Sequence, residues 1–213
     1  MSTPAPIHKT IPIDPAFFCD GHYAVLLSHS LGGSGLEPHA LADRLRSGTA
    51  ASMYDLLRQG ICLPIFFGGD GALDGATLFV LGALEERHAQ AWIGRLTSKL
   101  SIPCGKLVLL AGGGDGDELA QAVSGQPPRE HYCIYQSIDV PPGDYRMDVL
   151  AYVDSMTVAF MEEDLDDDAL REKYQHLPSV SESYVVHLTP WVEELPLPAL
   201  SDQVDWPGVF TFR

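Results

Sequence analysis

The stretch that decides the predicted fold is residues 132–153, YCIYQSIDVPPGDYRMDVLAYV. Its two flanks, Tyr132–Val140 and Tyr145–Val153, alternate inward and outward residues, which is the period of a half-buried strand. Pro141-Pro142-Gly143-Asp144, between the flanks, has the composition of a tight turn. We therefore predict a β-hairpin here, and with it an antiparallel sheet.

Apolar runs elsewhere predict further strands. Ile61–Phe67 and Ala76–Gly82 flank a turn rich in glycine and aspartate, which indicates a second hairpin. A buried strand is also predicted at Tyr23–Ser28, further strands at Lys106–Ala111 and Tyr184–Leu188, and an edge strand at Val209–Phe212.

The strongest helix prediction is Glu85–Leu100, where Trp92, Leu96 and Leu100 recur at helical spacing. Shorter helices are predicted at Pro38–Arg46, at Ala50–Gln59, at Asp117–Val123 and from Asp166 or Asp167 onward. Because strands and helices do not alternate strictly, the sequence favours an α+β fold, with mainly antiparallel sheet flanked by helices, over a doubly wound parallel fold.

The chain of 213 residues fits one large domain or two small ones. Residues 1–16 hold four prolines and predict an extended N-terminal arm. The glycine- and proline-rich segment Ser124–Arg129 is the predicted boundary between an N-terminal α+β subdomain, 17–127, and an acidic C-terminal one, 128–213. One compact domain is the alternative.

Acidic residues are concentrated in the last two fifths of the chain. Residues 131–213 carry 16 Asp and Glu against 4 Lys and Arg, whereas residues 1–130 carry 13 against 9. Six acids fall within the seven residues Glu162–Asp168. Such a surface repels nucleic acid and anionic lipid, and it attracts a basic protein.

The N-terminal sequence has no signal-peptide pattern, and no apolar stretch approaches the length of a membrane span. We expect a cytoplasmic protein that binds neither membrane nor nucleic acid. Its four cysteines have no metal-ligand spacing, and three of them lie in or beside apolar runs, as buried, reduced thiols do.

One enzymatic alternative stays open. Ser28-His29-Ser30-Leu31-Gly32-Gly33 (SHSLGG) follows a predicted strand and resembles the nucleophile elbow of lipases and esterases, with Ser30 as nucleophile. However, Ser28 replaces that family's glycine, and too few residues precede the turn to build the sheet that supports it.

Two further patterns are weaker. Gly68-Gly69-Asp70-Gly71 and Gly113-Gly114-Asp115-Gly116 are similar to the GGDG loop of NAD and diacylglycerol kinases, but Ala72 and Asp117 stand where that family has threonine. The aspartates of Asp164–Glu172 lack the glycine and the twelfth-position glutamate of a calcium loop. We therefore predict plain turns and a helix start, with no catalytic residue, metal ligand or cofactor.

Two segments carry a family resemblance. Trp92-Ile93-Gly94-Arg95-Leu96 running to Ile102-Pro103-Cys104-Gly105-Lys106-Leu107, together with Val140–Tyr145, look like bacterial polymorphic-toxin immunity proteins, in particular those paired with type VI secretion effectors. The resemblance implies a soluble, acidic inhibitor that binds one toxin tightly. It transfers no site residue, because immunity interfaces vary between pairs.

The predicted function is therefore that of an immunity protein, not an enzyme, that neutralises a basic effector toxin. A nuclease is the favoured target because it needs a basic cleft to hold phosphates, and an acidic surface could occlude that cleft. An acidic adaptor for another basic protein is a further alternative. The predicted partner-binding residues are Glu162, Glu163, Asp164, Asp166, Asp167, Asp168, Glu172, Asp144 and Asp148.

Overall fold

The computed structural model describes residues 9–19, 21–47, 49–70, 72–73, 76–112, 115–200 and 208–213. Within these ranges it contains ten strands and six α-helices, which confirms the predicted α+β class. The strands are β1 Lys9–Pro12, β2 Tyr23–Ser28, β3 Cys62–Phe66, β4 Thr77–Leu81, β5 Gly94–Ile102, β6 Lys106–Ala111, β7 Tyr135–Asp139, β8 Gly143–Ala151, β9 Tyr184–Pro190 and β10 Thr211–Phe212. The helices are α1 Pro38–Ser47, α2 Ala50–Gln59, α3 Glu86–Ala91, α4 Gly116–Val123, α5 Met156–Met161 and α6 Asp167–Tyr174.

The strands form two sheets. The large sheet has six strands in the order β1-β4-β9-β8-β5-β10, and the small sheet has four in the order β3-β2-β6-β7. The β4–β9 pair is parallel, and every other strand pair is antiparallel. The prediction of mainly antiparallel sheet is therefore confirmed.

One continuous hydrophobic core contains the inner faces of both sheets. Strand β5 shows how the large sheet faces it, since buried and half-buried residues alternate along all of Gly94–Ile102. By contrast, β2 and β6 are buried at nearly every position. That pattern indicates strands covered on both faces.

The predicted hairpin at residues 132–153 is wrong. Strand β7 pairs with β6 in the small sheet, whereas β8 pairs with β5 and β9 in the large sheet. Pro141 and Pro142 lack the N–H groups that would extend a ladder between the two flanks. The turn instead carries the chain from one sheet to the other, and Tyr145 Oη donates a hydrogen bond to the Pro141 carbonyl at 2.5 Å.

The second predicted hairpin is also wrong. Strand β3 pairs with β2, and β4 lies between β1 and β9 in the large sheet. Both strands exist near their predicted positions, but an apolar run does not specify its partner. Pro64 within β3 is consistent with its place at the edge of the small sheet.

The long helix predicted at Glu85–Leu100 is the third error. Helix α3 ends at Ala91, and Trp92 already has extended backbone angles, φ −64° and ψ 143°. Leu96 and Leu100 are four residues apart, so they share a face in a helix and also in a strand. Gly94 is a poor helix former, and from there the chain continues as β5.

Other local predictions are confirmed. Helix α2 ends at Gly60, which adopts the left-handed conformation at φ 65°. A Cβ at Gly60 would lie 2.9 Å from the Ser101 nitrogen, so this position also needs the small residue. The final edge strand β10 pairs with β5, although it is shorter than predicted.

Both sheets contain strands from either side of residue 127. The division into subdomains stays a prediction. Of the predicted N-terminal arm, residues 9–12 form β1 at the edge of the large sheet, and residues 1–8 lie outside the described ranges.

Candidate functional site

Helices α5 and α6 display most of the predicted acidic residues. The side chains of Glu163, Asp164, Asp167, Asp168 and Glu172 are exposed. Glu163 and Asp164 lie in the turn between the two helices, and the others lie on α6. This end of the molecule therefore carries a dense set of solvated carboxylates.

Asp166 has a structural role, because it is the N-cap of α6 and its carboxylate accepts a hydrogen bond from the Ala169 N–H at 2.9 Å. Asp167 and Asp168 follow in the first turn, while Arg171 and Lys173 lie in the last. This charge order stabilises a helix through its dipole. The predicted helix start is confirmed.

Glu162 is held between the helices. Its carboxylate accepts hydrogen bonds from Lys173 Nζ at 2.6 Å and from Tyr174 Oη at 2.8 Å. The contact with Lys173, followed by that with Tyr174, lowers the pKa of Glu162. Glu162 therefore joins the end of α5 to α6, and it is less available to a partner than its exposed neighbours.

Replacing Glu162 with Gln is expected to lower the free energy of unfolding at pH 7 by roughly 0.5–1 kcal/mol. Because its pKa is lower in the folded protein, the carboxylate stabilises the fold above an unfolded-state pKa of about 4.3. That contribution is lost as the pH falls through the folded-state pKa. Urea unfolding at several pH values should show the two proteins converging between pH 7 and pH 3. A gap that is independent of pH would contradict the assigned role.

Helix α5 is fixed to the core by its buried side. The Thr157 hydroxyl donates to the Phe67 carbonyl at 3.0 Å, and the Thr157 N–H donates to Tyr184 Oη at 2.9 Å. Ser155 caps the helix by accepting from the Val158 N–H. The outward face of α5 is consequently presented on a rigid support.

That outward face is apolar. Met156, Phe160 and Met161 are 42%, 43% and 52% exposed. Phe160 packs edge-on against Phe66, with 5.6 Å between ring centroids. Beside them lies a cavity of about 390 Å³, lined largely by aromatic and aliphatic side chains. Large apolar side chains exposed together on one short helix are typical of an interaction surface.

Two glycines bring the loop after β3 close to α5. A Cβ on Gly68 would lie 2.5 Å from Cβ of Phe160, and one on Gly69 would lie 2.4 Å from Cε of Met156. Because these positions lack side chains, Phe160 and Met156 of α5 can pack directly against the loop. The sequence pattern did not reveal this apolar group, although MTVAFM immediately precedes the acidic run.

The structure places Asp144 and Asp148 apart from the acidic helices. Both lie on β8. Asp144 is near the start of that strand, about 24 Å along it from Ala151, where the strand ends before α5. Asp144 pairs with Lys99 at 3.3 Å. Asp148 is only 4% exposed and pairs with Arg95 at 2.8 Å and Arg146 at 3.0 Å. Their charges are thus balanced by cations of the large sheet.

The elbow-like motif Ser28–Gly33 lies at the end of β2. Ser30 has backbone angles φ −93° and ψ 8°, and its hydroxyl lies 3.4 Å from that of Ser28. Ser28 Oγ accepts from the Gly32 N–H at 2.9 Å, and His29 Nε2 lies 2.9 Å from Ser137 Oγ. Within the described ranges no histidine is hydrogen-bonded to Ser30.

The remaining motifs have local structural roles where they are described. Asp115 caps α4 by accepting from the Asp117 N–H at 2.7 Å, which lowers the pKa of Asp115. Gly71, Gly113 and Gly114 of the two GGDG-like loops lie outside the described residues, as does Trp206.

Neither a metal site nor a membrane span is found among the described residues. No group of three or more His, Cys, Asp or Glu side chains there is arranged to hold a metal ion. Over the same residues, no helix combines the length and apolar character needed to cross a membrane.

Comparison with known proteins identifies no family. No protein-family model matches the chain, and no curated protein matches it. A solved structure titled "Crocagin biosynthetic gene J" is similar at a TM-score of 0.39 and 12% identity, covering 88% of this chain and 98% of that chain. A similarity at this level supports no inference about function.

Proposed function

We propose that the protein binds a basic protein partner through the surface formed by α5 and α6, called here the α5–α6 surface. Its centre is Met156, Phe160 and Met161, and its rim is Glu163, Asp164, Asp167, Asp168 and Glu172. The observation that carries the proposal is that exposed apolar side chains lie beside the densest exposed carboxylates in the described chain.

This arrangement has the composition of a specific protein interface. Such interfaces have an apolar centre, rich in aromatic residues and methionine, and a polar rim. The centre supplies most of the affinity, while complementary charge at the rim raises the association rate and selects the partner. An acidic rim selects a basic partner.

In its specific form, the proposal is that the partner is a basic nuclease toxin and the protein is its immunity protein. Toxin inhibition requires fast capture and slow release, which correspond to the charged rim and the apolar centre. The exposed carboxylates of the rim and the resemblance of the sequence to immunity proteins support this form. A non-catalytic adaptor for another basic protein is the alternative.

The apolar centre provides the first test. After the partner has been isolated with the wild-type protein and purified, its affinity is measured by calorimetry. Changing Phe160 to Ala and Met161 to Ser together should cost at least about 2 kcal/mol of binding, or roughly 30-fold in Kd. A thermal-unfolding scan establishes whether the variant remains folded.

Val192 provides a matched control. It is 98% exposed and follows β9, outside the α5–α6 surface. Val192→Ser should leave the affinity unchanged. Equal affinity of the wild-type and the α5 variant would overturn the proposed surface. If the partner is a nuclease, one equivalent of wild-type protein should also stop DNA cleavage, and continued cleavage would favour the adaptor.

A further inference from the structure

A second concave site lies on the face of the large sheet that points away from the hydrophobic core. It is a groove of about 290 Å³ between α3 and the segment after β9, called here the sheet groove. The residues that matter to its chemistry are Trp92, Arg95, Arg146, Asp148, His187 and Trp191. The α5–α6 surface shares none of these residues, so a ligand bound in the sheet groove would be independent of the proposed function.

The sheet groove is positively charged in a protein whose net charge is −16. Arg95 donates through Nε to Asp148 Oδ1 at 2.9 Å, and Thr97 donates to the same oxygen at 2.5 Å. Arg146 approaches Asp148 Oδ2 at 3.0 Å, also through Nε. Two guanidinium groups therefore share one buried carboxylate, and because arginine stays protonated, one positive charge is left over.

The arginines retain unused hydrogen-bond donors. The buried Nε of Arg146 makes an ion pair with Asp148 but no aligned hydrogen bond. Among the described residues, no carboxylate other than Asp148 pairs with Arg146. Arg95 and Arg146 are partly exposed, 32% and 27%. Both can therefore donate to a molecule in the groove.

Each of the two arginines makes a cation–π contact with an indole ring. The Arg95 guanidinium lies 5.7 Å from the Trp92 ring centroid, and that of Arg146 lies 5.5 Å from the Trp191 ring centroid. Trp191 is itself fixed by its backbone N–H, which donates to the Asp144 carbonyl at 2.9 Å. Cation–π contacts and the shared Asp148 thus fix the guanidinium groups before any ligand arrives.

An unpaired donor gives an independent indication of a ligand. The indole Nε1 of Trp191 is buried and has no acceptor within the described part of the chain. Leaving such a donor unsatisfied costs about 1–3 kcal/mol, so buried donors of this kind usually have an acceptor. Because Trp191 lines the groove, a small rotation of its ring would bring this donor to a ligand oxygen.

We propose that the sheet groove binds a small aromatic carboxylate. The carboxylate accepts hydrogen bonds from the paired arginines, and its ring packs against the indole and leucine side chains of the lining. The indole rings beside the arginines favour a carboxylate that carries an aromatic ring over inorganic phosphate. The volume lies just below the range of about 300–1,000 Å³ for drug-sized ligands, which points to a compound with one ring.

The test titrates the full-length protein with benzoate up to about 10 mM, because fragment-sized ligands bind modestly. Tryptophan fluorescence and calorimetry report binding. Benzamide, which has the same shape but no charge, and inorganic phosphate serve as comparison probes. Benzoate should bind at least about tenfold more tightly than either.

Variants locate the site. Arg146→Gln should weaken benzoate at least about tenfold. Arg58→Gln removes the same charge from an exposed pair with Asp55 on α2 and should have no effect. If Arg146→Gln does not fold, Trp191→Phe keeps the arginines and removes the unpaired donor, and it should weaken benzoate about threefold to tenfold.

The proposal would be overturned by no benzoate binding up to about 10 mM, by binding of benzamide or phosphate as tight as that of benzoate, or by equal losses in Arg146→Gln and Arg58→Gln. If Arg146→Gln does not fold, unchanged affinity in Trp191→Phe would also overturn the proposal, because no variant would then place benzoate in the sheet groove.

Discussion

Reversing two charges at the rim of the α5–α6 surface is expected to weaken partner binding about 100-fold at low salt. The variant is Glu163→Lys with Asp164→Lys. Both side chains are exposed in the turn between α5 and α6. Each reversal replaces an attraction with a repulsion, and a loss of about 1.4 kcal/mol at each position corresponds to tenfold in Kd.

Most of this loss should lie in the association rate, because rim charges guide the encounter more than they hold the complex. Stopped-flow kinetics at several salt concentrations measures it. The rate for the wild-type protein should fall steeply as salt is added, and the rate for the variant should depend much less on salt.

Glu193→Lys with Glu194→Lys is the matched control. These two exposed residues follow β9, and the double change alters the net charge of the protein by the same amount. The control should retain most of the affinity. Equal losses in the two variants would show that the partner senses only overall charge and would contradict a localised surface.

The second large effect concerns the fold. Leu100→Ala is expected to lower the free energy of unfolding by about 2–5 kcal/mol. Leu100 is fully buried in β5, the strand paired with β8 and β10 in the large sheet. Truncating it removes apolar contacts and leaves a cavity in the core between the sheets.

Lys99→Ala provides the comparison, because Lys99 lies on the outward face of the same strand and is half-buried beside Asp144. We expect it to cost less than about 1 kcal/mol. Denaturant unfolding of both variants measures the two losses. A small loss for Leu100→Ala would contradict the burial of Leu100 in the core.

Local signals in the sequence predicted the elements whose ends are fixed by nearby residues. Gly60 ends α2 and Asp166 begins α6, and in each case the residue acts within one helical turn. The strands β2 and β6 were predictable because their apolar runs are continuous. The fold class followed from the order of these elements.

The pairing of strands could not be predicted in the same way. Pro141 and Pro142 resemble a hairpin turn in composition, but they connect two different sheets. Leu96 and Leu100 are four residues apart, which fits one face of a helix as well as one face of a strand, so β5 was predicted as part of a helix. Both features depend on contacts with distant parts of the chain, which periodicity does not record.

The candidate surface was predicted in part. The acidic run was evident from composition, yet Glu162 and Asp166 hold the helices in place, and Asp148 is buried between two arginines. Arg95 and Asp148 are 53 residues apart in sequence, so neither suggests the other. The apolar face of α5 could be identified only from the structure, which buries Thr157 and Val158 and leaves Met156, Phe160 and Met161 exposed.

Amide hydrogen exchange on the free and partner-bound protein tests the binding surface most directly. Backbone amides of α5, α6 and the turn between them, residues 156–174, should exchange more slowly in the complex. The edge strand β7 of the small sheet should be unchanged. Slower exchange confined to β7 or to other elements, with residues 156–174 unaffected, would contradict the proposal that the α5–α6 surface binds the partner.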